Sequence, residues 1–471
     1  MKSNDIIHLD AIRIIRMLNE SGYEAFLVGG CVRDMLMGAV PHDWDMCTNA
    51  KPSEIKEVMR KNKVNTFDSG IKHGTITAVV NKENYEITTY RSEAGYSDGR
   101  HPDKVDFISD IKEDLKRRDL TINALAYNPI TCEVIDNFGG KTDMESKTIR
   151  CVGDAKDRFT EDSLRILRAL RFAIKYQWEI DKDTAKAMHE LKDELQNISK
   201  ERITQELEKM LTCGKPIKHY FNEFSDIIEV ILPEIKCCIG FNQNNKYHWH
   251  TVYEHMLFVT DLCKTDDFVI KLSALLHDIG KPDAYTTDEE GNGHFYGHPK
   301  VSKEIVENVL RNDLRCSAEQ MKSILTLVKY HDMDVAPRKG SIKRALNKLG
   351  ETDMRKWFIL KRADIDDHVQ LDEITKLSND LEKVIVLFDE IIKDNECFKV
   401  KDLAINGDYL IKELGLKPGK KIGYILNELL ANVINDESVE NNIETLDNLA
   451  RELSVEYDSL NNIQRISNHS R

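Results

Sequence analysis

The chain has 471 residues, more than one hydrophobic core usually serves, so about two to four domains are expected. Its formal net charge of −14 argues against broad, nonspecific polyanion binding but leaves room for a local basic stripe that binds RNA. The start MKSNDIIHLD has neither a basic nor an apolar segment, no apolar run is long enough to span a bilayer, and the ten cysteines include no C-x-x-C pair, so we expect no membrane span, disulfide framework or zinc ribbon, and a cytoplasmic protein with reduced thiols.

From Phe26 to Phe138 the pattern is mixed α/β. The apolar run Ala25 to Val28 predicts a buried strand, Gly29-Gly30 a turn, and Cys31 to Met37 a helix. Backbone N–H groups in such a turn can hold a phosphate. After Pro41, Asp43 and Asp45 stand two apart, so if HDWDM is a strand both carboxylates share a face, an arrangement that suits a divalent metal. GTITAVV (Gly74 to Val80) and YEITTYR (Tyr85 to Arg91) read as further strands. The second carries Glu86, the best candidate for a third carboxylate. An isolated D-x-D is usually a solvated turn; here it follows a glycine pair and the Arg33-Asp34 pair at close spacing.

Together these residues resemble the signature of the nucleotidyltransferase superfamily, in the branch that holds bacterial CCA-adding enzymes and poly(A) polymerases. The resemblance implies Mg²⁺ held by Asp43 and Asp45, with Glu86 joining them in catalysis, and a triphosphate held by Gly30 and Arg33. RRDLTINALAY, Arg117 to Tyr127, resembles the second family motif, in which Arg118 is the better candidate for the triphosphate or ribose contact and the asparagine organises the pocket. Alone, Arg-Arg-Asp reads as a surface ion-pair group. Tyr90 to Phe107 is similar to the mobile loop of full CCA-adding enzymes, which implies addition of the final A as well as CC. IDNFGGKTDM, Ile135 to Met144, is similar to the family's hinge, its glycines expected to let the head turn.

From about Arg150 the pattern is helical. In RFTEDSLRILRALRF, Arg158 to Phe172, a single helix would place Asp162, Arg165, Arg168 and Arg171 along one side. An aspartate accepts from the exocyclic amine of cytosine or adenine and an arginine donates to the ring nitrogen, whereas uracil and guanine offer that aspartate a carbonyl. The pair would admit CTP and ATP without a nucleic-acid template. A salt-bridged surface helix is the bland alternative. Leu164, Ile166, Leu167, Leu170 and Phe172 form its packing side, and the stretch resembles the family's base-selecting neck.

LLHDIGKP, Leu275 to Pro282, places His277 and Asp278 after an apolar helix, with His255 upstream and Asp364 downstream. This order resembles the HD phosphohydrolases, and His298 and His331 would complete a two-metal version. Imidazole with carboxylate suits Mn²⁺, Ni²⁺ or Co²⁺ better than Mg²⁺. Such a domain either hydrolyses phosphoesters, such as 2′,3′-cyclic phosphates, or serves as a structural tRNA-binding unit. KPGKK, Lys417 to Lys421, lies between two apolar helices and reads equally as a phosphate contact or a solvated turn.

The expected architecture is α+β: a small mixed α/β nucleotidyltransferase head over 1–150, then an all-α remainder with a neck over 151–240, an HD region over 241–370 and a tRNA-binding C-terminal region over 371–471. The resemblance implies addition of C, C and A to the tRNA 3′ end from CTP and ATP. The alternatives are a poly(A) polymerase, a CC-only enzyme, or an HD phosphohydrolase with a nucleotide-binding head. Oligomeric state is not legible.

Overall fold

Alternating apolar residues in the N-terminal third build one seven-stranded sheet in the computed structural model of the protein, which describes residues 8–71, 74–94, 104–246, 249–369, 372–436 and 438–469. Two compact units are distinguished, 1–236 with 309–316, and 237–308 with 317–471.

In the first unit, α1 (Leu9–Glu20), β1 (Ala25–Val28), α2 (Gly30–Leu36), β2 (Asp45–Thr48), α3 (Pro52–Lys61), β3 (Asn65–Gly70), β4 (Thr75–Val80) and β5 (Glu83–Thr89) follow in order. A hairpin of β6 (Arg91–Ala94) and β7 (Lys104–Phe107) leads to α4 (Ile111–Lys116), β8 (Leu125–Asn128) and β9 (Glu133–Asp136). The sheet order is β3-β4-β5-β2-β1-β8-β9, with β2 and β5 parallel and the other neighbours antiparallel. Successive residues face opposite sides of a strand. Leu27 and Met46 therefore join a core with Ile14, Leu18 and Ile55, while Val28 and Cys47 join a second with Tyr90, Leu115 and Val152.

Three expectations are modified here. Strand β2 begins at Asp45, so Asp43 lies in the bend before it and not on the strand. Of the Tyr90 to Phe107 stretch, the two ends are strands and 95–103 lie outside the described residues. In the expected hinge, α5 (Gly140–Glu145) follows Gly139, and any Cβ at Gly140 would run into the Thr121 carbonyl. Gly140 thus permits close packing rather than a loose joint.

Helices α6 (Ala155–Glu161), α7 (Leu164–Tyr176), α8 (Lys182–Leu191), α9 (Lys200–Leu211), α10 (Lys218–Glu223) and α11 (Ser225–Ile231) complete the first unit's main elements. The single helix expected through Asp162 is broken: Asp162, with φ −147°, ends α6, and its side chain accepts from the Leu164 N–H, the first of α7, at 3.1 Å. An aspartate side chain that competes for its own backbone N–H groups stops a helix readily.

The second unit contains α12 (Val252–Leu262), α13 (Phe268–Leu276), α14 (His298–Asn312, its last turn counted in the first unit), α15 (Ala318–Tyr330) and α16 (Lys339–Asp366), the last broken at Gly350. Then come α17 (Asp372–Lys393), α18 (Gly407–Lys412), α19 (Lys420–Asn435) and α20 (Ile443–His469). Thr251 and Glu254 cap the start of α12 reciprocally, and Asp267 caps α13. Every residue of α13 is buried, and its two polar side chains find backbone acceptors, Lys271 at the Thr260 carbonyl and Ser273 at the Val269 carbonyl. The C-terminal helices share their own core around Leu410, Ile425, Leu429 and Leu446. No helix among the described residues is long and apolar enough to cross a membrane.

Candidate functional site

Asp45, the first residue of β2, stands in parallel register with Glu86 of β5. Sheet pairing thus juxtaposes two acids 41 positions apart in the chain, which the separate strand patterns alone could not establish. Asp45 is exposed by area, yet protein atoms crowd its carboxyl. This partial desolvation, with the negative charges of Glu86 and Asp43, raises its pKa against the opposing pull of Arg118. Like charges gathered in this way fit a divalent cation, which would relieve their repulsion.

Gly29 is the member of the glycine pair with a positive φ. It has φ +76°, and a Cβ there would come within 2.8 Å of Arg118 Nη1. Arg118 lies over this turn, 3.6 Å from Asp114, and its buried Nε has no hydrogen-bond partner among the described residues. Arg33 is buried: it donates to Asp34 at 2.9 Å and to Asn123, and lies 5.1 and 5.6 Å from the Phe172 and Tyr176 ring centres. Asn123 also donates to Asp119, whose carboxylate accepts from Arg168 at 2.8 Å.

A cleft of about 240 Å³ gathers Arg117, Arg118 and Asp119 from one motif with Asp162, Arg165 and Arg168 from the other. Arg165 is held by Glu161 at 2.7 Å and donates to the backbone carbonyls of Arg158 and Arg117, each at 3.2 Å. Asp162 is held by Arg202 of α9. Arg171 is paired with Glu206 at 2.5 Å. Sequence reading did not single out Glu161, Arg202 or Glu206. Glu161 adjoins Asp162 and was visible in the same motif, whereas α9 carries no local sign of its partners.

The second unit brings together all the expected histidine and aspartate residues. His255 Nε2 lies 3.2 Å from His277 Nε2, 3.2 Å from Asp278 and 3.3 Å from Asp364. His298 and His331 place their Nε2 atoms 3.1 and 3.3 Å from Asp278 Oδ1 and 3.1 Å from each other. His277, His298 and His331 each donate Nδ1–H to the carbonyl three residues earlier, at 2.8, 2.8 and 2.7 Å. A carbonyl can only accept, so the neutral rings present bare Nε2 lone pairs.

His255 is fixed instead by Asp367 at 2.7 Å. Asp367 lies one turn beyond Asp364 on the chain, a spacing that could have marked it. Burial alone would lower the His255 pKa; hydrogen bonds to Asp278, Asp364 and Asp367 override it and raise it to about 10. Lys281 stands 2.6 Å from Asp278. Facing lone pairs, and a buried Asp278 Oδ1 without a hydrogen-bond partner among the described residues, fit cations held on either side of Asp278. A neighbouring cavity of about 560 Å³ is lined by Asp278, Lys281, His298, His331 and Asp364, with Tyr296 among its other walls.

Residues 25–150 match the poly A polymerase head domain, 178–238 a probable RNA and SrmB-binding site of polymerase A, and 300–450 a putative tRNA nucleotidyltransferase domain 2. A CCA-adding enzyme from Pediococcus pentosaceus is 33% identical over 429 residues, covering 91% of this chain and 94% of that protein. One from Ligilactobacillus salivarius is 32% identical over 442 residues, with 91% and 94% covered. The fold is similar to that of the Bacillus stearothermophilus CCA-adding enzyme in complex with CTP, with a TM-score of 0.68 and 24% identity over 95% of this chain and 98% of that one. The Thermotoga maritima CCA-adding enzyme complexed with tRNA gives a TM-score of 0.59 and 20% identity over 95% and 97%.

Proposed function

Since the chain belongs to the family of bacterial CCA-adding enzymes, which are nucleotidyltransferases that use divalent metals, we propose how its own residues divide the work of extending a tRNA 3′ end. The protein adds C, C and A to tRNA from CTP and ATP, with release of pyrophosphate and no nucleic-acid template. The observation that carries the assignment of residues is the cleft in which Arg118 and the Asp162–Arg165 pair share one wall system.

Asp43, Asp45 and Glu86 would hold Mg²⁺, which when bound supplies charge neutralisation at the attacking and leaving oxygens. Gly30, with Gly29, opens the backbone toward the triphosphate, and Arg118 provides a cation beside it. Arg33 is engaged by protein partners and braces the turn from below. Asp162 accepts from the cytosine or adenine amine and Arg165 donates to the ring, while Arg168 and Arg171 hold the surrounding frame through Asp119 and Glu206. The nucleotidyltransferase head is assigned to 1–150, the neck to 151–240, an HD region to 241–370 and a tRNA-gripping region to 371–471. Any tRNA must be accepted, so those contacts should read shape and phosphate.

The test is a gel assay with a tRNA lacking CCA, Mg²⁺, and CTP, ATP, both, or UTP and GTP. Two residues with CTP and three with both are expected, and neither with Asp45→Asn. A ladder of A residues would indicate poly(A) polymerase, and a stop after CC a CC-only enzyme.

A second activity, phosphoester hydrolysis, is proposed for the His255, His277, Asp278 and Asp364 cluster with His298 and His331. The two imidazole pairs that share Asp278 favour it. The donor set suits Mn²⁺, Ni²⁺ or Co²⁺. Hydrolysis of 2′,3′-cyclic AMP with each metal, lost in Asp278→Ala while CCA addition persists, tests it; no turnover with any of them would reduce the cluster to a structural role.

A further inference from the structure

Asp162 can discriminate bases only if its carboxylate is fixed with acceptor lone pairs toward the nucleotide, and its own backbone does little to fix it. It closes α6, its N–H donating to the Arg158 carbonyl at 3.4 Å and its carbonyl accepting from the Arg165 N–H at 2.9 Å, and these main-chain bonds hold the backbone without orienting the carboxylate. Arg202, 40 positions away on α9, donates from Nη1 to Oδ1 at 3.3 Å and from Nη2 to Oδ2 at 2.8 Å. Such a fork sets both the plane and the rotation of a carboxylate, which a single-point lysine cannot do. Oδ1 also accepts from the Leu164 N–H at 3.1 Å, so Oδ2 keeps the freer lone pair.

Asp162 lines the 240 Å³ cleft and Arg202 is not among the described residues lining it. One turn further along α9, Glu206 holds Arg171. The same face of α9 therefore grips the charged stripe of the neck at two points.

We propose that Arg202 is a specificity-determining positioning residue, which presents Asp162 to the nucleobase as a fixed, acceptor-only carboxylate. The inference rests on the assignment of Asp162 as base reader. Loss of the fork would let the carboxylate rotate away from the amine of cytosine and adenine. Nothing would then hold the geometry that repels the carbonyl of uracil and guanine.

The experiment compares kcat/KM for CTP against UTP on tRNA lacking CCA, and for ATP against GTP on tRNA ending in CC, in wild type, Arg202→Gln, Arg202→Lys and Asp162→Asn. The ratios do not depend on the fraction of active protein, so partial misfolding cannot imitate the effect. Arg202→Gln should narrow both ratios by roughly tenfold or more, with partial recovery in Arg202→Lys, because a hydrogen-bonded base contact gives far larger discrimination than apolar fit. Equal loss on all four nucleotides in Arg202→Gln, with Asp162→Asn losing discrimination, would overturn the role of Arg202 alone. Discrimination intact in Asp162→Asn would overturn the base-reader assignment and this inference with it.

Discussion

The Nε2 atoms of His298 and His331 face each other at 3.1 Å, while both rings donate their other N–H to a backbone carbonyl. Two neutral rings so arranged repel, and a proton or a metal ion between them and Asp278 resolves the conflict. We expect metal analysis of the protein, loaded with Mn²⁺ or Ni²⁺ and desalted, to find bound ion that Asp278→Ala abolishes and His331→Ala reduces. Stripping with a chelator should lower the melting temperature, since an ion at about 100 times its Kd stabilises the folded state by about 2.7 kcal/mol. CCA addition should persist in both variants.

Asp119 is buried and joins Arg168 to Asn123. Burial pulls its pKa up, but the Arg168 guanidinium and the bonds from Asn123 and Leu120 outweigh it and hold it well below the usual carboxylate range. A depressed folded-state value adds stability above the unfolded pKa of about 4, and that stability is lost as pH falls toward the folded value. Asp119→Ala should cost about 1–2 kcal/mol by removing the charged partner of Arg168, which is itself part-exposed. The gap in melting temperature between wild type and Asp119→Asn should stay constant from about pH 5 to 8 and narrow below about pH 4.

At Gly29 the positive φ and the nearness of Arg118 act together. Gly29→Ala should lose about 1–3 kcal/mol from backbone strain and push Arg118 off the turn. Steady-state kinetics should show KM for CTP and ATP rising several-fold, with base discrimination unchanged. A lowered kcat at constant KM would contradict the placement of Arg118 beside the triphosphate.

Crowding raises Asp45, and Glu86 adds to it. As an acid with an elevated value, Asp45 loses its charge as pH falls through that value, and the proposed hold on a cation would go with it. Glu86→Gln removes one repelling charge, so the acid limb of the kcat/KM profile should move to lower pH even as the plateau falls. A limb that stays in place would separate Glu86 from the Asp45 electrostatics.

Much of this could be read from the chain because the relevant signals are local. The run Ala25 to Val28, the strands around Gly74 and Tyr85, and the amphipathic α7 follow their periodicities. Glu86 was legible as a strand residue, and its register opposite Asp45 came only from the sheet. The break at Asp162 escaped because a three-residue charge spacing looks the same across a capped gap as along a helix. Arg202 and Glu206 act on residues reached through tertiary packing, and no local pattern encodes that. The histidines stood in a legible order, but the repeated Nδ1–H bond to the carbonyl three residues back is a property of helix ends in three dimensions.

Arg165 donates to the main-chain oxygen of Arg117, and every residue type carries that oxygen. Substitution at position 117 would change the side chain that meets Asp114 and leave this anchor unaltered. The two halves of the cleft are thus tied by a bond that mutation at its acceptor does not remove. Inherited changes in nucleotide preference should therefore accumulate at Asp162, Arg165 and the residues that orient them, while the joint beneath them stays fixed.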